Sequence, residues 1–314
     1  MSISNVKYFE LDTQSQFEEK NLCLAIGNFD GFHKGHIAIL NSLKKIANEK
    51  NQSTAIMSFN PHPREFFQSK IENFNIYTKS DKINFLKKFN VDVYIEFKFD
   101  KKLSELSANK FVENILIDKL DIKNVVVGKD FKFGKDRLGN FKILEHYSKE
   151  SNFDVHLVES IMPSDSSDKF SSSIIRENIK NGEMEKANFA LGRHWHMTGL
   201  IVEGDKIARK INFPTANVLP GKHIIPRKGV YCIEAYVKNQ KYLGISNFGE
   251  RPTVDGSKLL LESHIFNFSE EIYGNELTVR FLTFIRPEQK FANFDELAKQ
   301  IKKDIETAKK YHKI

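Results

Sequence analysis

Gly27-Asn28-Phe29-Asp30-Gly31-Phe32-His33-Lys34-Gly35-His36 joins two segments of different period. Before it, Leu22-Cys23-Leu24-Ala25-Ile26 reads as a buried strand, and after it Ile39, Leu40, Leu43, Ile46 and Ala47 recur at helical spacing between His36 and Lys50. The stretch is therefore a strand-to-helix loop, with two histidines spaced His-x-Gly-His where the helix begins. Unpaired backbone N–H groups and the helix dipole favour a phosphate there. Gly31 and Gly35 let the backbone approach that anion closely. A metal pair and two ordinary surface histidines are the alternatives. A metal pair wants a third ligand, and the chain has no H-E-x-x-H or Cys/His cluster.

Working outward, short apolar strands alternate with amphipathic segments from residue 22 to about 185. The strands are Leu22 to Ile26, Thr54 to Phe59, Val91 to Ile95, Asn124 to Val127 and Asp154 to Val158, with helices expected at 36–50, 80–89, 107–120 and 140–149 and another from near Ser172. This pattern predicts a doubly wound α/β fold on a parallel sheet, which binds ligands at the carboxyl ends of its strands. Besides the histidine loop, Asn60-Pro61-His62-Pro63 and Gly128-Lys129-Asp130-Phe131 follow such ends. From about residue 196 the period shortens to Thr198–Val202, Val230–Val237, Tyr242–Ser246, Glu262–Phe268 and Leu277–Phe284, with turn signals between. An antiparallel β-barrel fits, covered by a terminal helix from Phe294 with Phe294, Leu297, Ile301 and Ile305 on one face. Asn181-Gly182 to His196 is the expected connector, dividing the chain into domains at 1–185 and 186–314.

The 314 residues are enough for two such cores, and their formal charge of +7 comes from lysines scattered over helix faces rather than grouped in a stripe. Solvated surface and attraction for anionic nucleotides are the expectation, not nucleic acid. Cys23 and Cys232 are the only cysteines, expected as buried free thiols in a reducing cytoplasm. No apolar run approaches the roughly eighteen residues of a membrane span, and the first residues show no basic region followed by an apolar one, so neither membrane insertion nor secretion is expected.

Three further blocks carry chemistry. Phe59 to Phe67 is a proline-limited loop followed by aromatics, suited to clamping a flat ring or simply to packing phenylalanines. Gly128 to Gly139 is not a P-loop, since five residues separate its glycines and Asp136 stands where Ser or Thr is required. Lys169-Phe170-Ser171-Ser172-Ser173-Ile174-Ile175-Arg176 sets hydroxyls at a helix start with cations on either side, a polyphosphate site or a serine N-cap with surface charges.

In order and spacing these blocks resemble the FMN adenylyltransferase module of the bacterial bifunctional riboflavin kinase/FAD synthetase family, over most of residues 20–190. The family patterns G-x-F-D-G-x-H-x-G-H, F-[DN]-P-H-P and V-G-x-D-F-x-F-G are matched at residues 27–36, 59–63 and 127–134; I-S-S-T-x-I-R becomes Phe170 to Arg176, with Phe170 and Ser173 as departures. The resemblance implies a nucleotidyltransferase-type sheet. His33, His36, Asn28 and Arg176 would handle ATP phosphates, joined by Lys169 and Ser172. Asp130 would hold the nucleotide, and Pro61, Pro63 and Phe67 would border the flavin. Gly27, Phe29, Asp30, Gly31, Asn60, Phe131, Gly134 and Arg137 would complete the surroundings of those ligands.

In the second half, Phe213-Pro214-Thr215-Ala216-Asn217 matches the riboflavin kinase signature of the same family. Thr215 and Asn217 offer neutral oxygens to a hard cation. By resemblance Mg²⁺ binds there, Glu262 is the general base, and Gly204, Asp205, Pro214, Gly229, Tyr231 and Arg286 contact the ligands. Gly249-Glu250-Arg251-Pro252-Thr253 and Arg286-Pro287-Glu288-Gln289-Lys290-Phe291 are further family blocks. A purely structural alternative pairs Glu262 with Arg280. Ala208 and Asn212 replace two family glycines before the signature, and Asn267 replaces a commoner Asp. The implied activity is phosphorylation of riboflavin by ATP to FMN and adenylylation of FMN to FAD, with no obligate protein partner. An FAD synthetase whose barrel only binds flavin is the close alternative. A nucleic-acid enzyme is the distant one, lacking a Lys-Met-Ser-Lys-Ser block.

Overall fold

The computed structural model describes residues 5–68, 73–162, 169–202, 213–253 and 256–314. The chain splits into two compact units, Met1–Glu72 with Thr78–Ser171, and Asn73–Tyr77 with Ser172–Ile314.

The first unit is a six-stranded parallel sheet of β1 (Lys7–Leu11), β2 (Leu22–Ile26), β3 (Ser53–Asn60), β4 (Val93–Lys98), β5 (Asn124–Gly128) and β6 (Asp154–Val158), in the order β1-β4-β3-β2-β5-β6. Every pairing in it is parallel. β2 is buried at all five positions because helices cover both faces, which is why it reads as a continuous apolar run. Chain order reverses between β2 and β5, and the crevice at such a switch point is where ligands bind. The loop carrying His33 and His36 leaves the carboxyl end of β2. β1 was not expected from sequence: Lys7-Tyr8-Phe9-Glu10-Leu11 is an edge strand with only Leu11 buried, so no apolar run marks it. The helix expected at 107–120 is a short α-turn, Ala108–Phe111, continued as a π-helix over Val112–Lys119.

The second unit closes β7 (His196–Val202), β8 (Ala216–Val218), β9 (Gly229–Val237), β10 (Gln240–Thr253), β11 (Gly256–Ile265) and β12 (Glu276–Pro287) into an antiparallel barrel in the order β10-β11-β8-β7-β12-β9. The Ala-Asn end of the kinase signature opens strand β8, a strand not expected from sequence, and β11 starts earlier and ends earlier than Glu262–Phe268. The terminal helix Phe294–His312 packs Ile301, Ile305 and Ala308 against Cys232, Ile245 and Leu282, while Phe294, expected on that face, is exposed. Both cysteines are free and buried, and burial pushes each thiol up to about 12.

The expected connector at 181–196 contains a helix, Met184–Leu191, that belongs to the barrel unit. Asn188 Nδ2 donates to the Phe281 carbonyl at 2.8 Å and its Oδ1 accepts from Trp195 N at 2.7 Å. Asn73 Nδ2 donates to the carbonyls of Gly221 and His223 at 2.7 and 2.9 Å, and Trp195 Nε1 to that of Ile76 at 3.0 Å. Those bonds tie residues 73–77 to the barrel unit. Compactness thus divides the chain at 171/172.

Candidate active sites

In the first unit, the helix Lys34–Lys50 is capped by His33, whose Nδ1 accepts from His36 N at 3.3 Å. That bond fixes the proton of a neutral His33 on Nε2. The two imidazoles stack with centroids 3.7 Å apart, and a Cβ at Gly35 would press against the His33 ring at 3.1 Å, so glycine lets the cap close. Phe29 and Phe32 hold φ of 46° and 42°, a conformation costly for bulky residues. Burial keeps them there: Phe32 stacks on Phe85 at 4.4 Å and Phe29 lies 5.1 Å from the His36 ring. Backbone strain, two buried aromatics and the buried Asp30 together aim this loop.

Asn60 ends β3, and its Nδ2 donates to Glu96 Oε2 at 3.2 Å. Glu96 is buried and also accepts from Tyr8 Oη at 2.7 Å, so β1, β3 and β4 orient the Asn60 amide together. His62 caps the five-residue helix Pro63–Phe67, its Nδ1 accepting from Arg64 N at 3.1 Å. Phe66, Phe67 and Phe99 meet edge to face, with Phe67 67% exposed, an apolar wall open to a ligand.

Asp130 and Lys169 come together in an ion pair, and Ser160 Oγ donates to Asp130 Oδ2 at 3.3 Å. The Lys169 hydrogen bond holds the Asp130 carboxyl below the usual carboxylate range. Phe131 packs half-buried on the core and stacks on Phe133. Gly134 has φ 69°, and a Cβ there would lie 2.6 Å from Ala108 N. Arg137 is exposed with φ 58°. Ser172 and Arg176 open the helix Ser172–Asn181 of the other unit; Arg176 is buried, donates from Nε to the Phe74 carbonyl at 3.0 Å and stacks on the Phe74 ring at 3.8 Å.

The barrel unit has a cavity of about 350 Å³ whose wall includes Thr215, Asn217, Glu262, Arg286 and Phe291. Asn217 and Glu262 are directly opposed on β8 and β11, so their side chains share a face. Asn217 is 5% exposed, and its Oδ1 has no hydrogen-bond partner among the described residues. An orphaned amide oxygen beside a hydroxyl and a carboxylate fits a hard cation that completes its shell with phosphate oxygens. His264 Nδ1 bonds the Pro214 carbonyl at 3.0 Å, holding the signature loop on β11, and burial lowers its pKa.

Glu262 does not pair with Arg280, which bonds Tyr236 Oη at 2.7 Å and faces Glu234. Its partner is Arg251, whose Nε donates to Oε1 at 3.0 Å and whose Nη2 donates to Oε2. Burial alone would lower the Arg251 pKa, but the hydrogen bonds and charges of Glu262 and Glu288 together outweigh it and raise it. Sequence reasoning missed this residue, although it lies inside a block already singled out. Arg286 lines the cavity and is anchored there by Asp304 and Pro287: Nε donates to both Asp304 oxygens at 2.9 and 3.1 Å, Nη2 to Oδ2 at 2.7 Å and Nη1 to the Pro287 carbonyl at 3.0 Å. Tyr231 is wholly buried among Phe281 and Phe284, its hydroxyl donating to the Arg227 carbonyl, and it is not part of the cavity wall. Gly229 is needed by the barrel itself, since a Cβ there would collide with the Arg286 carbonyl. Gly204, Asp205, Ala208 and Asn212 lie outside the described residues.

Breaking a buried ion pair by removing one partner leaves an uncompensated charge, typically at a cost of about 3–5 kcal/mol. Asp304 is 2% exposed and binds Arg286 twice over, so Asp304→Ala is expected to lower the barrel's thermal midpoint by several degrees. Differential scanning calorimetry checks this; an unchanged midpoint would make the pair dispensable.

The FAD synthetase family model matches residues 15–174 and the riboflavin kinase family model residues 191–312. The bifunctional riboflavin kinase/FMN adenylyltransferase of Haemophilus influenzae is 40% identical over 289 residues, covering 92% of this chain and 93% of that protein. The enzyme of the same name from Escherichia coli K12 is 34% identical over 298 residues, covering 95% of each. A crystal structure described as a macrolide-efflux protein from Streptococcus pneumoniae superposes with a TM-score of 0.86 at 27% identity, covering 97% of this chain and 99% of that one. Among the described residues no helix is long and apolar enough to cross a membrane. With a matching domain on either side of residues 175–190 and full-length relatives of one name, this chain belongs to the bifunctional riboflavin kinase/FMN adenylyltransferase family.

Proposed function

We propose that the two activities of the family, riboflavin to FMN and FMN to FAD, run at separate sites, the second in the nucleotidyltransferase sheet and the first in the barrel. The observation that carries this is the placement of the stacked His33–His36 pair and of Glu262 in different compact units. The functional boundary is taken at 185/186, between the two matched family domains.

In adenylylation the FMN phosphate is already an anion and attacks the α-phosphorus of ATP, expelling pyrophosphate, so no base is required. His33, through Nε2, and His36 would stabilise charge developing on the phosphate oxygens. Asn28, Asp30 and the backbone of Gly27 to Gly31 would shape the anion site, with Asn60, Pro61, Pro63 and Phe67 along the flavin. Lys169, Ser172 and Arg176 are carried as phosphate-binding residues on the motif alone.

In the kinase reaction the ribityl hydroxyl attacks the γ-phosphorus of ATP, the bond to the β,γ-bridging oxygen breaks to release ADP, and the hydroxyl proton passes to Glu262. Thr215 and Asn217 would hold Mg²⁺, which supplies charge neutralisation on the phosphates. Asn217→Ala is expected to raise the Mg²⁺ concentration giving half-maximal FMN formation about tenfold or more, by deleting one hard oxygen ligand. Titrating Mg²⁺ in the kinase assay checks this, and an unchanged requirement would move the metal elsewhere. A cytoplasmic setting, without nucleic-acid, membrane or obligate protein partners, completes the reading. Supplying riboflavin, ATP and Mg²⁺ and separating the flavins by chromatography tests both activities.

A further inference from the structure

Arg251 lies between two carboxylates of one cavity, and the assignments above give it no task. It donates twice to Glu262, while its Nη1 lies 3.3 Å from Glu288 Oε1 and 3.0 Å from the Glu250 carbonyl. Asn247, opposite Glu262 in the β10–β11 register and on the same face as Arg251, reaches that Glu288 oxygen at 3.5 Å. Glu288 comes this near because residue 249 is glycine: a Cβ there would collide with the Glu288 carboxylate.

A guanidinium donating side-on to both oxygens occupies one in-plane lone pair on each, the syn pair, and leaves a hydroxyl only the less basic anti pairs. For Glu262 to take the ribityl proton on a syn lone pair, Arg251 must give up at least one of these bonds. Its side chain is only 29% exposed, so releasing it without another anion would strand a largely buried charge. Glu288 is that anion, already in contact.

We propose that Arg251 is a positioning residue that holds Glu262 in the ligand-free barrel and passes to Glu288 when the ribityl hydroxyl takes up the Glu262 carboxylate. The inference rests on Glu262 being the base of the kinase reaction. Glu288 then sets how readily that base is released, and Gly249 keeps Glu288 within reach.

A double-mutant cycle on the full chain tests the exchange. Glu288→Gln is expected to lower kcat for FMN formation about tenfold with the KM values for ATP and riboflavin within about twofold, because the loss arises after binding. Glu288→Asp, which keeps the charge, recovers part of that loss. In an Arg251→Met background the further change Glu288→Gln alters kcat less than about twofold, since no cation remains to be moved. Melting temperature and FAD formation from supplied FMN, measured on each variant, show that it is folded. Equal losses in both backgrounds, or a coupling seen in melting temperature and not in kcat, overturn the exchange. Glu262→Gln separates the two possible failures: near-normal kinase turnover there removes the base itself. An inactive Glu262→Gln beside an absent Arg251–Glu288 coupling removes only the exchange.

Discussion

Replacing His36 by alanine is expected to lower FAD formation from FMN by about a hundredfold or more, the usual cost of one preorganised donor at a developing oxyanion, while FMN formation from riboflavin continues. The variant should fold. The cap bond that closes this helix start runs from the backbone N–H of residue 36 to His33 Nδ1 and survives the substitution. What disappears is an imidazole stacked 3.7 Å from that of His33 and packed beside Phe29. Following both products by chromatography checks the result. Equal loss of FMN formation in a folded protein would show that the histidines serve both reactions.

Glu262→Gln should give the mirror image, FMN formation falling by roughly a hundred to ten thousandfold, the range for general-base assistance, with adenylylation of supplied FMN retained. A neutral alcohol must lose its proton as it attacks, and an amide of the same size cannot accept it. The adenylyltransferase nucleophile is already charged and has no use for this carboxylate. The competing view is that Glu262 serves only as the partner of Arg251. On that view the amide would lower the melting temperature and leave turnover near normal. Measuring both on one preparation separates the views.

Much of this was legible in the sequence because it is local. The run Leu22 to Ile26 and the glycines and histidines after it state a buried strand, a tight turn and a helix start within fifteen or so residues. The signature around Thr215 and Asn217 is equally compact. Pairing between distant segments was not legible. β1 is an edge strand with one buried residue, and β8 is three residues long, too short to show a period. Residues 73–77 join the barrel unit through the Asn73 amide, the Trp195 indole N–H and backbone carbonyls, contacts that leave no periodic trace. Glu262 finds Arg251 rather than Arg280 because the β10–β11 register brings those strands together, and register depends on turns and packing. That Arg286, in the cavity wall, is also held by Asp304 of the terminal helix was equally invisible, because the two are joined only by the fold.

The most direct test of two separate sites on one chain is to mix the folded His36→Ala and Glu262→Gln proteins with riboflavin, ATP and Mg²⁺. Each alone should fail to make FAD, the first stopping at FMN and the second at riboflavin. The mixture should make FAD as FMN passes from one protein to the other. No FAD from the mixture, or FAD at the wild-type rate from either variant alone, would contradict the account.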